Sequence, residues 1–220
     1  TYLETRFTGG KLSVKVSETG TSYYNVFVDG KLHKVVKVCG TDTLIHLVSG
    51  IDKRIHSLKI QKRSEGEFGK TTVHQFVLSG SGRLAEEPAV RTRHIEFIGN
   101  SLTCGYGTDG KHRDEPFLVE TENCNLTFAS MVARYYDADY TLIAHSGRGA
   151  ARNYGDSVRV SKVTMKDRML NTFDEDLTHK WNFKEYCPDL VVINLGSNDF
   201  STEPHPYKSE FTKAYKQILA

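Results

Sequence analysis

The chain has 220 residues, 38% hydrophobic and 25% charged, which is ordinary globular usage and excludes disordered or collagen-like folds. At roughly 100–200 residues per domain, that length allows one large domain or two modest ones. Lys+Arg 29 against Asp+Glu 27 gives a net charge of +2, too balanced for a dedicated nucleic-acid binder, and no stretch reaches the roughly 20 apolar residues of a membrane span.

Residues 1–80 read as strands. Leu12, Val14 and Val16 alternate with Lys11, Ser13 and Lys15, and Tyr24, Val26 and Val28 alternate with Tyr23, Asn25 and Phe27. Asp29-Gly30 supplies two-residue hairpin chemistry before the run Val35 to Val38, apolar but for Lys37. Ile45 with Leu47, Leu58 with Ile60, and Phe76 with Leu78 mark further strands, separated by turn signals at Gly40, Gly50, Glu65-Gly66 and Gly69. Short strands so punctuated predict a β-sandwich, in the form of a jelly roll.

Ser79 to Thr92 carries Gly80, Gly82, Pro88 and mixed charge, and reads as a linker. Beyond it the period changes. His94 to Ile98 is a strand. Leu126 to Tyr136 is a helix, with Asn125 as its N-cap and Phe128, Val132 and Tyr135 on one face. Tyr140 to Ala144 is a strand, and Lys166 to Phe173 a helix. Leu190 to Leu195 is an apolar run interrupted only at Asn194, and it reads as a strand buried on both faces. Phe211, Tyr215 and Ile218 share a helical face. Alternating strands and helices predict a parallel α/β sheet over 93–220, after a β-domain over 1–88.

In an open parallel sheet, sites form beyond the carboxyl ends of the strands. Three loops qualify: Gly99-Asn100-Ser101, His145-Ser146-Gly147-Arg148-Gly149, and Gly196-Ser197-Asn198-Asp199. Together they offer a hydroxyl nucleophile, a flexible backbone N–H and a side-chain amide donor. Those are the parts acyl transfer needs. The Gly-x-Ser-x-Gly elbow is not matched, because position 103 is Thr, and no phosphate or dinucleotide fingerprint is present.

The set Gly99-Asn100-Ser101, Gly147 and Gly196-Ser197-Asn198-Asp199 resembles the SGNH (GDSL-type) hydrolase superfamily. The string Ile98 to Gly107, with Glu120 to Asn123 and Arg152-Asn153-Tyr154-Gly155, is similar to carbohydrate esterase family two, whose members place a β-sandwich jelly roll before the SGNH domain. Arg6-Phe7-Thr8-Gly9 and Tyr24 to Gly30 fit that as well.

The resemblance implies Ser101 as nucleophile, and the N–H groups of Ser101 and Gly147 with the Asn198 amide as oxyanion hole. Gly149 is a weaker alternative to Gly147. Asp199 is expected to buttress the Asn198 loop. Asn100 stands where the superfamily usually has Asp. The implied activity is removal of O-acetyl groups from plant polysaccharides such as xylan or glucomannan, without cofactor or metal. An acetylated polysaccharide or oligosaccharide is the expected partner, and extracellular or periplasmic the expected location. The competing readings are a non-catalytic carbohydrate-binding protein, in which some of the 11 Phe, 11 Tyr and 1 Trp stack on sugar, and a lipid-directed esterase of the same superfamily.

The resemblance also implies a general-base His in a C-terminal block. Too few residues follow Asp199 for another βα repeat of roughly 30 residues, so the base is expected beyond residue 220. Thr1 in place of Met is read as the mark of a removed leader. The visible histidines are poorer candidates. His205 lies between Pro204 and Pro206, His145 beside the Gly147 turn reads as packing, His94 opens a strand, and His179 sits in a solvated charged loop with Asp174, Glu175 and Asp176. For Cys39, Cys104, Cys124 and Cys187, four thiols and a Cys104–Cys124 bridge both fit.

Overall fold

The computed structural model describes residues 1–184 and 186–220. They form two compact units. The first holds residues 1–90 with 118–120, the second residues 91–117 with 121–220.

The first unit is one antiparallel sheet folded over a single core. Its strands are β1 (Tyr2–Glu18), β2 (Thr21–Val28), β3 (Lys31–Cys39), β4 (Thr43–Lys62), β5 (Thr71–Ser79) and β6 (Arg83–Leu84). They run in the order β3-β2-β4-β1-β5, with β6 also on β1. The early half of β1 pairs with the late half of β4, and its late half with both β5 and the early half of β4. Between the halves the register slips at Gly10, whose φ is +71° and where a Cβ would lie 2.4 Å from the Ser79 carbonyl oxygen. Only glycine fits such a bulge. The bend lets Phe7, from one half of β1, join Leu12, Val14 and Val16, from the other, in a single core with Val26, Val38, Leu47, Val48, Leu58 and Ile60. Each fully buried Leu or Phe there contributes about 1.5–3 kcal/mol.

Asp29-Gly30 forms the expected hairpin turn, with φ of +50° and +74°. Gly50 does not separate two strands. It is skipped in the pairing, between Lys11↔Ser49 and Gly10↔Ile51, so Ile45, Leu47, Leu58 and Ile60 all lie on one bulged strand. The expected linker likewise contains β6, which pairs with Phe7 and Thr8.

The second unit contains β7 (His94–Gly99), α1 (Ser101–Cys104), α2 (Phe128–Tyr135), β8 (Asp139–Ala144), α3 (Met165–Arg168), β9 (Leu190–Ile193) and α4 (Lys208–Leu219). The sheet is parallel, in the order β8-β7-β9. Three local expectations are corrected. The fully covered strand is β7, in the centre. At the edge of the sheet, β9 leaves Leu190 53% and Val191 43% exposed. Next, α2 starts at Phe128 with Thr127 as N-cap, while Asn125 sits in a preceding 3-10 turn. The residues it buries are Ala129, Ser130 and Ala133; Tyr135 is exposed, and Phe128 meets Phe97 edge-on at 6.0 Å. Small residues let the helix lie close to the sheet, which hydrophobicity alone does not reveal. Finally, α3 is a single turn. Thr164 caps its start, and beyond Met169 the chain bends into an antiparallel bridge between Asn171 and Lys180. On α4, Ala214 and Ile218 are buried and Phe211 packs against Phe200 at 5.0 Å.

His56 gives the first unit a pH dependence. It is 3% exposed, with Nδ1 2.7 Å from Asp29 and Nε2 3.0 Å from Asp52. Both partners are carboxylates, so both ring nitrogens donate and the imidazolium is the bound form. The hydrogen bond to Asp29 raises the His56 pKa against the opposing effect of burial. The Asp29 and Asp52 carboxyls are held low, by His56 and by the Arg54 N–H respectively. The histidine contribution is therefore complete below its unfolded value of about 6.5 and is lost as pH rises through the higher folded value. The carboxylate contributions are complete above about pH 4 and are lost as pH falls through their lower folded values. Melting temperature measured against pH should fall on the alkaline side of this window, and His56→Gln should flatten that limb. An unchanged slope would exclude the triad as its source.

Candidate active site

The three parallel strands deliver their following loops to one edge, and side chains stitch those loops together. Asn100, fully buried, accepts from the Leu102 N–H at 3.2 Å and donates through Nδ2 to Ser197 Oγ at 2.9 Å. It thus caps α1 and ties the first loop to the third. Asp199, also fully buried, accepts from the N–H groups of Ala150 (3.0 Å), Ala151 (2.6 Å) and Arg152 (2.9 Å). This ties the third loop to the second, and it is the buttressing role expected for Asp199. With its oxygens so engaged, this carboxylate is no base for Ser101.

Ser101 opens α1 and is partly exposed. Its N–H and that of Gly147 meet no acceptor among the described residues. Gly147 has a φ of +75°, with open space where a Cβ would stand. A side chain there would strain the backbone and intrude on that space. The turn is closed by Arg148 N–H to the His145 carbonyl (3.3 Å) and Tyr154 N–H to the Gly147 carbonyl (2.8 Å). Asn198 donates one amide hydrogen to the Arg148 carbonyl at 2.8 Å, which fixes the side chain and leaves its second hydrogen to donate elsewhere. Gly149 is a packing glycine: a Cβ would fall 2.0 Å from the Arg152 carbonyl oxygen and 2.5 Å from Asp199 Oδ2.

Two residues named in the sequence reading act as hubs, a role it did not give them. Arg152, fully buried, donates to the carbonyls of Val158 (3.1 Å) and Glu203 (3.3 Å), to Thr202 Oγ1 (2.9 Å) and to the Asp156 carbonyl, joining the loops after β8 and β9. An arginine in a polar loop looks solvated in sequence, so its signal is the run of carbonyls around it in space. The second hub is His145, paired with Asp174 rather than simply packed.

The other histidines lie elsewhere. His205 is beside Glu203 (3.3 Å) and Phe200; His179 bonds Asp176 on the surface; His94 bonds Thr141 and meets the Tyr186 ring at a tilt, and burial lowers its pKa. Among the described residues no histidine hydrogen-bonds Ser101. No disulfide joins the cysteines; Cys104 and Cys124 are buried thiols, and Cys39 and Cys187 are exposed.

Residues 1–88 match the Carbohydrate esterase 2 N-terminal family model, and residues 97–220 match the GDSL-like Lipase/Acylhydrolase family. The chain belongs to the GDSL-like acylhydrolases. The alignments to its relatives span both parts of the chain. Cellulase/esterase CelE of Acetivibrio thermocellus is 35% identical over 218 residues, covering 99% of this chain and 26% of CelE. An acetylxylan esterase / glucomannan deacetylase of Cellvibrio japonicus is 33% identical over 204 residues, covering 91% of this chain and 54% of that protein. A family two carbohydrate esterase from Clostridium thermocellum, solved in complex with cellohexaose, matches with a TM-score of 0.93 and 35% identity over 100% of this chain and 66% of that one. This acylhydrolase chain thus spans only part of its curated relatives' length.

The Asp199 bonds set a stability expectation for the acylhydrolase unit. Asp199→Ala would leave three backbone N–H groups without their acceptor, at about 1–3 kcal/mol for each one left buried. Urea denaturation should therefore show a loss of at least about 3 kcal/mol, and a smaller one for Asp199→Asn, which keeps one acceptor oxygen. A change under about 0.5 kcal/mol, the usual range for surface substitutions, would contradict the buttress.

Proposed function

We propose that this chain carries the nucleophile and oxyanion hole of an esterase that removes acetyl groups from plant polysaccharides. The observation that carries the reading is the gathering of Ser101, Gly147 and Asn198 on three loops locked by Asn100 and Asp199. The substrate class is supported by the relatives, described as acetylxylan esterases and glucomannan deacetylases. In this reading Ser101 Oγ attacks the acetyl carbonyl and loses its proton to a histidine outside residues 1–220. The carbonyl oxygen takes up negative charge and is met by the N–H groups of Ser101 and Gly147 and the Asn198 amide. Collapse expels the sugar hydroxyl, which takes the proton, and leaves acetyl on Ser101. Water then attacks with the same base, releasing acetate and restoring the hydroxyl. No metal enters these steps. A polymeric substrate places the reaction outside the cytoplasm, in the periplasm or beyond.

Acetate release from acetylated xylan and glucomannan by the full-length protein tests the reading. Ser101→Ala should abolish release, and Asn198→Ala should lower kcat by about 10²–10³, as loss of one oxyanion donor does. Full activity in the Ser101 variant would sink the assignment. Polysaccharide binding without acetate release would favour a binding role, and preference for long-chain over acetyl esters a lipid-directed one.

A further inference from the structure

The proposed reaction leaves one partly buried pair unused. His145, the first residue after β8, is 2% exposed, and its Nδ1 lies 2.6 Å from Asp174 Oδ2. A carboxylate only accepts, so the ring carries a proton on Nδ1 and donates it. Arg168, at the end of α3 and 8% exposed, grips the same acid. Its Nη1 donates to Asp174 Oδ1 (3.2 Å), to the Asp174 carbonyl (3.2 Å) and to Glu175 Oε1 (2.8 Å). Burial pushes the Asp174 carboxyl up, but the His145 hydrogen bond and the Arg168 charge outweigh it and hold the group ionised.

The start of α3 holds the other side of the same loop. The Met165 N–H donates to the Gly149 carbonyl at 3.0 Å, and Thr164 Oγ1 to the Ala150 carbonyl at 2.8 Å. Residues 145–150 are therefore pinned twice by one helical turn. One pin is at Gly149 and Ala150; the other runs from Arg168 through Asp174 to His145. Gly147 stands between the two pins.

We propose that His145 and Asp174, clamped by Arg168, are positioning residues that fix the Gly147 turn so that its N–H meets the developing oxyanion. Neither touches the reacting atoms. The proposal rests on the esterase reading above. A donor aimed at an oxyanion acts in the transition state and not on the bound ester, so its displacement lowers kcat and leaves KM in place.

The test is acetate release by the full-length protein carrying Asp174→Ala or Asp174→Asn. Because misplacement by about 1 Å can cost on the order of 100-fold, Asp174→Ala should lower kcat by roughly 10–100-fold. KM should stay within about twofold. Asp174→Asn, whose amide oxygen still accepts from His145, should recover most of kcat. Unchanged kcat in Asp174→Ala, or a loss carried wholly by KM, overturns the proposal. Should Asp174→Ala fail to fold, Arg168→Lys, which loosens the clamp and keeps the charge, must still lower kcat at constant KM. Absence of activity in the unmodified protein would refute the functional reading alone. The pair is then judged from a crystal structure of a folded variant: a displaced Gly147 supports the proposal and an unmoved turn overturns it.

Discussion

The edge that carries the candidate site depends on one buried carboxylate. Asp199 lies beneath the loop that follows β8 and gathers three consecutive N–H groups from it. Hydrogen bonds to an ionised acceptor are about twice as strong as neutral ones, and three to one group set both distance and orientation. Everything the site needs is defined relative to that anchor. Asn198 is its chain neighbour, Gly147 lies just before the anchored N–H groups, and Gly149 is glycine because a Cβ would collide with the carboxylate itself. The first loop joins through Asn100, which donates to Ser197 and accepts from Leu102. An ionised aspartate there would keep the cap and accept from the Ser197 hydroxyl instead, so the tie between the two loops does not depend on the amide.

This arrangement explains why the candidate site and its Asp199 anchor stand out in sequence and the longer-range supports do not. Ser101, Gly147, Asn198 and Asp199 each follow a strand whose apolar run marks it, and short motifs after parallel strands necessarily share an edge. The supports are long-range. Arg152 reaches residues near 202, and Asp174 returns to His145 across 29 residues. Nothing in a local window distinguishes such charges from solvated ones. The same limit shaped the helices: α2 buries alanines and a serine, while Tyr135 from the apolar face suggested by sequence lies toward solvent.

In the first unit the local grammar was readable where a turn needs two residues and failed where a bulge needs one. Asp29-Gly30 reverses the chain. Gly50 has a similarly positive φ, yet the strand continues, because β1 carries a matching irregularity at Gly10. Whether a glycine ends a strand or bends it is decided by its pairing partner, which lies some 40 residues away in sequence here. The consequence is two strands long enough to serve both halves of the folded sheet, with one core between them.

The decisive measurement is a crystal structure of the full-length protein with a phosphonate ester bound to Ser101, mimicking the tetrahedral intermediate. The Ser101 N–H, the Gly147 N–H and the Asn198 amide should all lie about 2.7–3.1 Å from a single phosphoryl oxygen. The Asp199 bonds to residues 150–152 should be unchanged. A phosphonate attached to another residue, or an oxygen held by donors outside these three loops, would contradict the site described.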